Sequence, residues 1–261
     1  MGRVPDLTEA YSNAAFIAGG TEYPDRWATY AATFRSVIPG VYDLPYGHGK
    51  RERFDLIGKP KAKGLVIFIH GGYWKAFDHS LWTHLAAGAV ASGWAFALPS
   101  YDLCPQVRIG DITAQVARAV DAIAGQVAGP VVLVGHSAGG HLVARLACAD
   151  VPLAARARLA KVVAISPLSD LAPLMQTDMN AELRIDAAEA RAESPVHHPR
   201  PGVPVSVWVG ADERPAFLDQ ARWLSDAWDA PLHVAPGRHH FDIIELLSDM
   251  ESELVQDLTT P

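Results

Sequence analysis

The sequence predicts an α/β fold: a mostly parallel sheet of eight strands, flanked by helices on both faces. Two observations carry this. Short unbroken apolar runs recur along the chain, as strands buried on both sides require. Between them, apolar residues fall at helical spacing. With 261 residues, 49% of them apolar and 20% charged, the chain can bury a sizeable core and has neither a disordered nor a coiled-coil composition. One domain spanning residues 1–261 is expected.

In chain order, residues 41–46 and 53–57 alternate polar with apolar and suit an antiparallel edge. Residues 65–69, 94–98, 131–134, 162–165, 205–209 and 232–234 then read as buried strands. Ile112, Val116, Val120 and Ile123 share one helix face behind Asp111, a candidate N-cap. Phe217, Ala221, Leu224 and Trp228 share another, with Pro215 at the helix start. Residues 242–254 read as a closing amphipathic helix. Two segments interrupt the alternation: an arm over residues 1–40 with Tyr11, Tyr23, Trp27 and Tyr30, and an insertion over 170–203 with Met175, Met179, Pro195, Pro199 and Pro201. Either roofs a site or serves as a packing arm.

Composition excludes several functions. The net charge is -7 with a pI near 5.8, and no Lys/Arg cluster marks a nucleic-acid surface. Cys104 and Cys148 form no CxxC pair or disulfide framework, which fits a reducing compartment. The opening Met1-Gly2-Arg3 lacks a signal-peptide run, and Asp6 stands where myristoylation wants Ser or Thr. No stretch matches a membrane span, so a cytoplasmic, soluble protein is expected, with a homodimer left open.

Gly135-His136-Ser137-Ala138-Gly139 carries the chemistry. A nucleophile elbow needs glycines around its serine, because the strand turns sharply into a helix and strains the serine backbone. The five-letter pattern alone turns up by chance in roughly one chain in ten of this length, so the strand before it and the helix after it decide the reading. His70-Gly71-Gly72-Tyr73-Trp74 follows the strand at 65–69, where backbone N–H groups can hold a developing oxyanion. Gly72, Tyr73 and Ala138 are the expected donors, with His70 bracing the loop.

Serine needs a base and an acid, expected in that chain order as acid then histidine at later strand ends. Asp212, in Gly210-Ala211-Asp212-Glu213, is the favoured acid because it comes first after the turn and a short carboxylate is common there. Glu213 and Asp170 are its rivals. The base is His239 or His240, which local chemistry does not separate. No G-x-G-x-x-G, P-loop or HExxH occurs, and His197-His198 lacks carboxylate or cysteine partners at ligand spacing; no cofactor and no catalytic metal are expected.

On these motifs the chain resembles the kynurenine formamidase (arylformamidase) and related esterase branch of the α/β hydrolases. The resemblance also takes in Tyr11-Ser12-Asn13, Arg26-Trp27, Tyr46-Gly47, Ser166-Pro167-Leu168-Ser169-Asp170 and His240-Phe241-Asp242. It implies that the histidine before Phe is the base, His240, and that Asp212 is the acid. It also implies that Tyr73 and Trp74 floor an aryl or small-acyl pocket, beside which His136 would touch substrate. The family reads Asp-Ser-Pro-Glu-Phe after the acid's strand, where this chain has Asp212-Glu213-Arg214-Pro215-Ala216-Phe217. The missing glutamate leaves specificity for N-formylkynurenine open. The expected activity is hydrolysis of a small ester or amide through an acyl-enzyme. Carboxylesterase or thioesterase action on short acyl groups is the alternative, with an acyltransferase or an inert binding protein behind it.

Overall fold

Eight strands pair in the order β1-β2-β4-β3-β5-β6-β7-β8 in the computed structural model, which describes residues 6–59 and 61–261. The opening residues 1–5 lie outside the described residues. The strands are β1 (Gly40–Pro45), β2 (Arg53–Ile57), β3 (Leu65–Ile69), β4 (Ala95–Pro99), β5 (Val131–His136), β6 (Leu159–Ile165), β7 (Val205–Gly210) and β8 (Leu232–Ala235). β1 and β2 are antiparallel, as their alternation requires, and β3 to β8 run parallel to one another.

The α-helices are α1 (Leu7–Ala10), α2 (Tyr23–Val37), α3 (Ala87–Ala91), α4 (Ile109–Ala124), α5 (Ala138–Ala147), α6 (Asn180–Leu183), α7 (Ala187–Glu193), α8 (Pro215–Trp228) and α9 (Glu253–Thr259). The two-residue period of β3 divides the core. Leu65, Ile67 and Ile69 face α4, α5 and α8, whereas Val66 and Phe68 face α2, α3 and α9. Both faces are covered, and each such aliphatic side chain contributes about 1.5–3 kcal/mol by leaving water.

Two details depart from expectation. Asp111 is not the N-cap of α4. The N-cap lies three residues earlier, at Arg108, and Asp111 instead accepts the Arg108 N–H at 3.0 Å from the third helical position. The expected closing helix is broken into a 3₁₀ turn (Ile243–Ser248) and α9, because Ser252 caps a fresh helix by accepting from Val255 N–H.

The order also places the site. β4 lies to one side of β3 and β5 to the other, so the chain reverses direction across the sheet between β3 and β5. In open α/β sheets the crevice at such a switch point, at the carboxyl ends of the strands, is where ligands bind. The loop after β3 carries His70 to Trp74, and the turn after β5 carries Ser137.

Candidate active site

Ser137 has φ 57° and ψ -118°, a strained conformation for a residue with a side chain. Its neighbours make the turn feasible. A Cβ on Gly139 would stand 1.9 Å from the Ile69 carbonyl oxygen, and one on Gly135 would stand 2.1 Å from that of Gly139. Without side chains at these positions, α5 can close onto β3 and β5. The Ser137 N–H donates to the Ile165 carbonyl at 2.8 Å, which carries the β5–β6 ladder one residue past the strand and fixes the turn.

The loop after β3 is bent as sharply, with Gly72 at φ 107°, Tyr73 at 50° and Trp74 at 55°. Among the described residues, no acceptor pairs with the N–H of Gly72, Tyr73 or Ala138. These three N–H groups lie at the carboxyl ends of adjacent strands, and that of Ala138 begins helix α5. Trp74 does not floor the pocket as the resemblance implied. Its left-handed backbone turns the indole into the core, fully buried and edge-on to His141 at 5.0 Å. Tyr73 does line the cavity.

The acid is placed differently from expectation. His240 Nδ1 lies 2.6 Å from Glu213 Oε2, not from Asp212. The turn after β7 sends the two neighbouring carboxylates in opposite directions. The Asp212 N–H donates to the Arg238 carbonyl at 2.9 Å while its side chain points to solvent. Glu213 is turned inward, where Oε1 accepts from Ser166 Oγ at 2.5 Å and from Gly210 N–H at 2.9 Å. Both Glu213 oxygens are therefore held from the protein side, one of them against Nδ1 of the buried His240 imidazole. Asp170 does not compete, since its carboxylate accepts from Ala172 N–H at 2.9 Å.

The two histidines also part. His239 Nδ1 accepts from the N–H groups of Phe241 and Asp242 at 3.1 and 3.2 Å, and its Nε2 meets the Tyr23 hydroxyl at 3.1 Å. It ties α2 to the loop, while His240 faces the cavity. His136, the residue before the serine, spends its Nε2 on the His240 carbonyl at 2.8 Å. Burial holds its imidazole well below the ordinary value, and the His240 ring beside it pushes the same way. His136 thus buttresses His240 as well as lining the cavity.

Ser137, His240, Gly72 and Tyr73 line one cavity of about 460 Å³. The arm supplies much of its roof through Tyr11, Asn13 and Trp27, and Met179 comes from the 170–203 insertion. Hydrogen bonds anchor the arm: the Tyr73 hydroxyl donates to the Tyr11 carbonyl at 2.6 Å, and Gln220 Nε2 donates to the Tyr11 hydroxyl at 2.8 Å.

The fold agrees with comparison to known proteins. The model of the alpha/beta hydrolase family matches residues 66–256, most of the chain. The chain belongs to the α/β-hydrolase family. Among curated relatives, kynurenine formamidase of Salmo salar is 26% identical over 240 residues, covering 85% of this chain and 82% of that protein. The enzyme of the same name from Danio rerio is 28% identical over 232 residues, covering 82% and 79%. A crystal structure from Silicibacter sp. TM1040, of a protein to which thioesterase activity is provisionally ascribed, is 52% identical with a TM-score of 0.95, covering 97% of this chain and 99% of that one. Esterase B from Lactobacillus rhamnosis shares the fold, with a TM-score of 0.69 at 17% identity over 92% and 91% of the two chains.

One further cluster in this α/β hydrolase bears on metals. Cys148, Asp150 and His198 bring ligand atoms within 4.8 Å of one another, so His198 has in space the partners it lacks at ligand spacing in sequence. They are otherwise engaged. Arg145 holds Asp150 at 2.9 Å, burial pushes the Cys148 thiol up to about 11, and His198 Nε2 bonds the Ala192 carbonyl at 2.8 Å. A protonated thiol and a carboxylate shared with a guanidinium make a poor donor set for a cation. Among the described residues, no helix is long and apolar enough to cross a membrane.

Proposed function

We propose that this hydrolase cleaves a small ester or amide with Ser137 as nucleophile, His240 as general base and Glu213 as the acid that orients it. The 2.6 Å contact between His240 Nδ1 and Glu213, in the cavity that Ser137 also lines, carries this reading. With its proton on Nδ1, His240 keeps the Nε2 lone pair for the serine proton as Oγ attacks the carbonyl carbon. The negative oxygen of the tetrahedral adduct is received by the N–H groups of Gly72, Tyr73 and Ala138; losing one such donor typically costs about 3–4 kcal/mol of barrier. Protonated His240 then gives its proton to the departing alcohol, thiol or amine, leaving an acyl-Ser137. Water, deprotonated by the same nitrogen, releases the acid. Glu213 stays ionised and stabilises the imidazolium formed in each half-reaction.

The formamidase names of the curated relatives favour an arylformamidase-like reaction, and the structural relative at 52% identity keeps thioester hydrolysis as the second reading. The test is covalent labelling. A fluorophosphonate should add to the peptide bearing Ser137, as read by mass spectrometry, and labelling should be slowed strongly in His240→Ala. No adduct on Ser137 would sink the proposal.

A further inference from the structure

We propose that the substrate of this site is an uncharged aromatic ester or amide, its ring lying against Trp27, Phe77, Trp82 and Phe241 and carrying no carboxylate or phosphate. The inference rests on the hydrolase reading above and concerns what that site accepts. Among the described residues, no Lys, Arg, Asp or Glu lines the cavity. Its titratable groups are Tyr11, Tyr73, His136 and His240. Burial raises both phenols and depresses His136, so these stay neutral, and His240 must be neutral to act as base.

Three cations on neighbouring segments are already paired, and the Arg51 guanidinium is spent on the Tyr101 and Phe77 carbonyls. Lys75 lies 2.7 Å from Glu182, Arg26 lies 3.9 Å from Glu245, and Arg214 lies 3.6 Å from Glu9 with its guanidinium over the Phe16 ring. An anionic substrate entering this cavity would lose its hydration and find no counter-charge, which strongly opposes binding. Any substrate that must place a carboxylate or phosphate inside the cavity falls under this exclusion.

The apolar wall indicates what is accepted. Trp27 packs on Trp82 with ring centroids 4.6 Å apart, and meets Phe77 at 6.2 Å and Phe241 at 5.5 Å, both edge-on. These rings touch one another, so they form a continuous apolar wall. A flat aryl group covers such a wall with offset or edge contacts. The cavity, at about 460 Å³, is of the size that encloses one small ligand.

The test compares near-isosteric substrates, 4-acetoxybenzamide and 4-acetoxybenzoate, with each kcat/KM divided by the rate of hydrolysis by hydroxide. The neutral amide should be preferred by about a hundredfold. 4-Hydroxybenzamide should likewise inhibit more strongly than 4-hydroxybenzoate, which separates binding from chemistry. A corrected ratio below ten would overturn the charge rule, as would failure to hydrolyse either compound by a protein whose Ser137 takes up the fluorophosphonate. If Ser137 also fails to label, it is the hydrolase reading that falls.

Discussion

Two of the three strand ends that carry the proposed triad hold their residues differently. After β5 the backbone itself fixes the serine: φ 57° at Ser137, glycines that admit no Cβ, and an N–H bonded to Ile165 leave one place for it. After β7 the backbone only chooses a side. Two consecutive carboxylates, Asp212 and Glu213, share that turn, and a one-residue difference sends one to solvent and the other to His240. The proposed nucleophile is thus specified by conformation, and the proposed acid by which neighbour the turn faces inward.

Substitutions can break that contrast. The largest effect is expected at Ser137→Ala, which should lower kcat by roughly 10⁴–10⁶ in steady-state assays with an aryl acetate, while the melting temperature barely moves. Next comes the pair that separates the two carboxylates. Glu213→Gln should reduce kcat by about 10²–10⁴ because the imidazolium loses its partner, whereas Asp212→Asn should stay within about threefold of the parent. Equal losses in the two variants would mean that the turn does not discriminate. Gly139→Ala attacks the elbow through its backbone, and unfolding in urea should show a loss of about 3 kcal/mol or more, since the Ile69 carbonyl cannot move without the strand.

The smallest expected effect concerns pH, on the face covered by the arm. His84 packs edge-on to Tyr30 of α2, and burial pulls its imidazole down to about 4. The unfolded chain takes up this proton below about pH 6.5 and the folded protein does not, so stability should fall as pH drops from about 6.5 towards 4. His70 and His141, also held near 4, act in the same direction. His84→Phe should make the decline of melting temperature over that window shallower. An unchanged slope would place the acid sensitivity elsewhere, for instance in the histidines around the elbow.

The contrast also explains what the sequence disclosed. Strands, their parallel order after an antiparallel edge, and the serine were all readable, because buried runs and the glycines of the elbow are properties of the chain itself. The choice of Glu213 over Asp212 depended on which of two neighbours a turn faces inward, and no local periodicity records that. One signal was nevertheless present. Laid without a gap on Glu213-Arg214-Pro215-Ala216-Phe217, the family segment Asp-Ser-Pro-Glu-Phe puts its acid two residues before Pro215, at Glu213. Trp74 was misplaced for a related reason, as its left-handed backbone reversed the direction of its ring. The 15-residue helix α2 within the arm escaped notice because its apolar face is narrow; only Tyr23, Trp27 and Ala31 are buried.

The bond from Ser137 N–H to the Ile165 carbonyl has a consequence for how this protein loses function. It is the last rung between two central strands and is buried, so that amide should exchange with deuterium only when the carboxyl end of β5 and β6 opens. The part of the arm before α2 is held more loosely, by a few polar contacts around Tyr11, and its amides should exchange sooner. On warming, the cavity would then lose its shape before the serine loses its geometry. Discrimination between substrates should fade at temperatures where fluorophosphonate labelling is still complete.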